Sequence, residues 1–109
     1  MSAQNLSARV GPTRTRLTRT LADAAAQWGA DVPEDPGVGE LADLLSEAAR
    51  ALPAGTPGHG VASARLALAL RHLRAADRLG GLLPVVTCGH LHRAVRYERA
   101  ARDALDRTG

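Results

Sequence analysis

Apolar positions recur at helical spacing in four separate stretches of this chain, and glycine and proline separate those stretches. The breaks are Gly11-Pro12, GADVPEDPG at 29–37, PAGTPGHG at 53–60, and Gly80-Gly81 with Pro84 soon after. Leu17, Leu21, Ala24 and Trp28 share a face, which predicts a helix over about 12–28. Pro12 suits its first position, where a missing N–H would be unpaired anyway. Residues 1–11 then read as a polar leader, and 12–109 as a single helical domain.

Leu41, Leu44, Leu45, Ala48 and Leu52 predict a second helix over about 38–52, with Glu40, Asp43 and Glu47 on its wet side. A third is expected over about 61–79, with Gly80 as its C-terminal cap. Its main face carries Leu66, Ala69, Leu70, Leu73 and Ala76. A second apolar stripe of Val61, Leu68, Ala75 and Leu79 leaves only the strip of Arg71, Arg74 and Arg78 plainly polar. A helix apolar on two sides lies centrally in its domain or at a subunit interface. The fourth helix is expected over about 84–106, burying Leu91, Ala94, Tyr97, Ala101, Ala104 and Leu105. His92, Arg93, Arg96, Arg99, Asp103 and Arg107 make its wet side. In an alternative reading Leu82–Val86 is extended and Thr87 is the N-cap.

Four helices with short connections pack most simply as an all-α, four-helix antiparallel bundle. Composition supports this. Phe, Ile and Lys are absent, Trp28 and Tyr97 are the only aromatics, and the 45% apolar residues are mostly Leu and Ala. These are helix formers, while the types that strands favour are scarce. Alanine lets helices approach closely but buries little area per contact, so the second stripe of helix three is expected to form a homodimer interface.

All 14 basic residues are arginine. The bias fits a high-GC, actinobacterial type of genome. In composition and helical layout the chain resembles the small helical proteins common in Streptomyces and its relatives, a likeness that implies no residue's role. A single cysteine cannot form an internal disulfide, and no apolar run reaches the length of a signal-peptide core or a membrane span, so the expected location is the cytoplasm.

The stretch TCGHLHR at 87–93 looks most like chemistry. On a strand, Cys88, His90 and His92 would share one face and could hold zinc or copper. On a helix only Cys88 and His92 meet, and His59 or His72 would be needed to complete a set. No spacing matches a known zinc pattern. No metal or other cofactor is expected, with Cys88 and His92 as the weak candidates. A Cys–His nucleophile lacks an identifiable orienting group, so no catalytic residue is assigned. A second constellation comprises Asp77, His90, Tyr97, Glu98 and Arg102. Buried carboxylates need partners, so this set predicts a buried polar network or a polar pocket between helices, with a third reading in which Asp77 and Glu98 simply sit at face boundaries.

Charge is uneven: +4 over residues 1–20, −6 over 21–52 and +5 over 53–109. Arg14, Arg16 and Arg19 in TRTRLTRT, with Arg71, Arg74 and Arg78, could contact phosphates. Acidic helix two offers these arginines an intramolecular alternative. The expected function is that of a small non-enzymatic helical protein acting through protein–protein interaction, as a homodimer first and with another protein as the second choice of partner. The alternatives are a small nucleic-acid-binding regulator and, third, a small-molecule or metal-binding helical protein.

Overall fold

The computed structural model describes residues 3–108, and the side chains of residues 10–107. It is an all-α four-helix bundle of α1 (Ala3–Gln27), α2 (Val38–Ala51), α3 (His59–Leu79) and α4 (Pro84–Thr108). Residues 1 and 2 of the expected leader lie outside the described residues. Its remainder forms the first part of α1, which begins at Ala3 rather than at about residue 12, and Pro12 sits inside the helix. The stretch AQNLSARV is rich in helix formers, and an internal proline withholds a single N–H from the carbonyl four residues upstream.

The antiparallel order holds from α2 to α4. Asp43 on α2 meets Arg74 on α3, and Gly39 meets Asp77. His72 and Arg65 on α3 meet His90 and Ala100 on α4. Helix α1 departs from that order. Its Val10 lies at the level of Cys88, and its C-terminal end at Glu98 and Arg102, so it runs parallel to α4. It also runs parallel to α2. Loop 28–37 returns along α1, so that Val38 shares a cleft with Arg14 and Thr18 while Trp28 lies beside Leu44 and Ala48. Ten residues of extended chain span roughly 30 Å, enough to cover the length of α2. The loop expected to be a short connection is therefore a crossover.

The core is leucine and alanine. Leu17, Leu21, Leu41, Leu45, Leu66, Leu73 and Leu91 are buried, with Ala25, Ala42, Ala62, Ala69, Ala94 and Ala101 between them. Helices α3 and α4 share the largest interface. Gly80 caps α3 in the left-handed region (φ 58°), its N–H donating to Asp77 O at 3.0 Å. Helix α4 begins at Pro84, so Leu82–Val86 is not an extended run. Thr87 lies inside the helix, where its hydroxyl donates to Leu82 O at 3.2 Å. No helix among the described residues is long and apolar enough to cross a membrane.

Candidate functional site

The polar network expected from the sequence is two separate clusters, on different sides of α4. The first faces α1. Glu98 is 1% exposed and accepts a hydrogen bond from Trp28 Nε1 at 2.9 Å. Arg102, one turn on, grips both carboxylate oxygens, with Nη2 to Oε1 at 3.0 Å and Nε to Oε2. Its remaining fork donates to Gln27 Oε1. The buried acid is thereby paired in bidentate fashion and capped by an indole N–H. This cluster ties the end of α1 to α4 and has no open coordination. Trp28 and Gln27 were not anticipated as partners, although a buried acid beside the only tryptophan signals a need for its N–H.

The second cluster faces α3. His72 Nδ1 and His90 Nδ1 lie 3.0 Å apart, so one ring donates to the other. Tyr97 stacks on His72 with ring centroids 5.7 Å apart and planes within 5°. Tyr97 therefore belongs with the histidines rather than with Glu98. Around them a surface groove is lined by Leu68, Arg71, His72, Arg74, Ala75, Arg78 and His90. No acid lines it. Arg74 reaches out to Asp43 at 3.4 Å, an exposed pair that contributes little. His72 is held below its usual pKa of 6.5 by burial first, and then by the charges of His90, Arg93 and Arg71.

Asp77 joins neither cluster. It is exposed, on the side of α3 that meets α2, and packs so closely on Gly39 that a Cβ there would lie 2.9 Å from Oδ2. Cys88 is buried, with Sγ 3.8 Å from Val10 O, while His92 is exposed, and His59 lies at the far end of α3. Among the described residues no group of three or more His, Cys, Asp or Glu side chains is placed to hold a metal.

The two arginine patches lie apart. Arg14 and Arg19 line a cleft between α1 and loop 28–37 that also contains Asp23, Glu34 and Asp35, and Arg16 is exposed nearby. The acids beside them come from α1 and the loop, not from α2. Arg71, Arg74 and Arg78 lie on α3, which makes no substantial contact with α1. Of the second apolar stripe, Leu68 and Ala75 are half-buried in the groove, Leu79 is half-buried near its end, and Val61 is 50% exposed.

The largest apolar exposure lies elsewhere. Leu82, Leu83, Val85 and Val86 are 73, 61, 64 and 47% exposed at the tip joining α3 to α4. Leu83 adopts φ 50°, a left-handed conformation unfavourable for leucine and further restricted before proline. Comparison with family models, curated proteins and solved structures found no match to this chain.

Proposed function

We propose that this protein is a small non-enzymatic helical module that works by protein–protein contact, as a homodimer joined through the α3–α4 tip. The supporting observation is the exposed set Leu82, Leu83, Val85 and Val86, to which Leu79 is adjacent. Contiguous exposed apolar side chains mark interaction surfaces. Residues 79–89 carry no charge, so the tip offers nothing to attract an oppositely charged partner. An uncharged patch of this kind is compatible with itself across a twofold axis, the commonest symmetry of soluble oligomers. The left-handed Leu83 adds to the case, because strained backbone tends to occur where a surface is used.

Light scattering from low to high micromolar concentration tests the reading. Wild-type protein should approach twice the chain mass, and Leu82→Asp with Val86→Asp should return it to a monomer of unchanged helicity. Leu68→Glu separates the two apolar surfaces: if it alone abolishes the dimer, the α3 stripe is the interface and not the tip. A wild type that stays monomeric at high micromolar concentration overturns the homodimer.

A further inference from the structure

We propose that the groove between α3 and α4 binds a phosphate-type oxyanion, held by Arg71 and Arg78, with the His72–His90 pair taking up a proton as the anion binds. Positions 68, 71, 75 and 78 form one row along α3. Arg71 and Arg78 therefore stand two turns apart, about 10 Å along the axis, with Ala75 between them and Leu68 one turn before Arg71 as the apolar floor. Both guanidiniums are on the surface and lack an acidic partner among the described residues, whereas Arg74 has Asp43 and Arg102 has Glu98. The arginine fork matches the geometry of phosphate oxygens, and an apolar floor strengthens the attraction.

The histidines make this more than a positive surface. With Nδ1 facing Nδ1 at 3.0 Å, the neutral pair shares one hydrogen. One further proton enters without breaking that contact, since an imidazolium still donates to its neutral neighbour. A second would set N–H against N–H. The groups facing the pair are Arg71, Arg74 and Arg78 on α3 and Arg93 and Tyr97 on α4. From α2 the acid identified nearby is Asp43, engaged with Arg74. Cations thus oppose the extra proton, and an anion between them reverses that opposition. The inference does not rest on the tip or on dimerisation.

Sulfate serves as the first probe, because its own charge is constant between pH 5.5 and 7.5. The His72 and His90 C2–H resonances are followed at pH 7.5 and 5.5 as sulfate replaces chloride at constant ionic strength. Binding should tighten by up to about tenfold per pH unit for the uptake of one proton. Arg71→Gln with Arg78→Gln should abolish it. His72→Gln with His90→Gln should leave weaker binding with its pH dependence lost. Arg14→Gln, on the opposite side of the bundle, should change nothing. A short oligothymidylate, whose phosphodiester charge is also constant, forms the second arm. If it binds at least tenfold tighter than sulfate through the same arginines, the oxyanion comes from a nucleic-acid backbone. Comparable or weaker binding indicates a small free anion. Histidine resonances unmoved by sulfate, equal affinity at both pH values, or survival of binding in the double arginine variant would each overturn the proposal.

Discussion

Glu98 and His90 lie eight residues apart on the same helix, yet their surroundings are opposites. Glu98 points at α1 and is enclosed, with Arg102 and the Trp28 N–H occupying its oxygens. His90 points at α3 and meets a second histidine among arginines, at a groove open to solvent. In the first cluster charge is matched and closed, so it can only hold α1 in place. In the second, positive charge accumulates without an acid, and only Arg74 has found one. Polar residues near the inside of a bundle thus fall into two kinds, and the presence of the complementary charge separates them.

The contrast should appear first in stability. Arg102→Met leaves a buried carboxylate with one indole N–H. Breaking a buried pair costs about 3–5 kcal/mol, and the lower end is expected because Arg102 remains partly exposed. At about 4–8 °C per kcal/mol for a domain near this size, the midpoint should fall by more than roughly 10 °C. Adding Glu98→Leu should recover most of that loss, because well-packed apolar replacements of buried pairs are often neutral. A single variant that loses less than about 1 kcal/mol in urea titration would mean that Glu98 is hydrated and the closed cluster is misread. Trp28→Phe keeps the ring but removes the donor to a charged acceptor, and should cost about 1.5–3 kcal/mol. A cost as small as that of an exposed aromatic would break the same claim.

Much of the fold was legible because apolar spacing and Gly–Pro breaks are local signals. Leu41 and Leu45 on α2, and Leu66 and Leu73 on α3, are buried as their spacing indicates, and Gly80 caps α3 as expected. The crossover at 28–37 was not legible: its length permits either a turn or a return, and only packing against Arg14 and Thr18 decides. The pairing of Glu98 with Arg102 followed from their four-residue spacing. The sorting of Tyr97 and His90 away from Glu98 did not, since it depends on which neighbouring helix each side of α4 meets. His72 was noticed only as a spare ligand, because nothing local joins it to a residue eighteen positions downstream. Asp77 borders the apolar stripe of α3, which left open whether it joins a buried network or sits at a face boundary; it is exposed and faces Gly39.

The second cluster should respond to pH in the opposite sense to a histidine paired with a carboxylate. His72 binds its proton less readily in the folded chain than its ordinary value of 6.5, through burial and the charges of His90, Arg93 and Arg71. Between the folded and unfolded pKa values the unfolded chain holds more protons, so stability rises with pH there. Well above 6.5 the ring is neutral in both states and contributes no slope. As pH falls through 6.5 toward the lower folded value, stability is lost. Urea titrations at about pH 7.5 and 5.5 should therefore show a larger loss for wild type than for His72→Gln, with sulfate shrinking the difference. Equal losses in the two proteins would show that neither burial nor the neighbouring cations hold this ring's pKa down.

The smallest effect is expected from the arginines themselves, and it sharpens the comparison most directly. If Arg71 and Arg78 had structural partners, removing them would cost what an ion pair contributes. They line the groove beside His72 and Arg74, with no acidic partner among the described residues. Arg71→Gln and Arg78→Gln should therefore change stability by no more than about 0.5 kcal/mol, and in the stabilising direction, because like charges are being separated. Arg74→Gln offers the internal control. It loses the exposed contact with Asp43, so its gain from reduced repulsion should be offset by a few tenths of a kcal/mol. The effects should also shrink in high salt, since every one of these groups is on the surface and is screened within about 10 Å at 0.1 M. A clear loss of stability for Arg71→Gln, retained in high salt, would mean that the guanidinium packs or pairs within the fold. The α3–α4 groove would then be a closed polar cluster like that of Glu98, with no cation left over for a ligand.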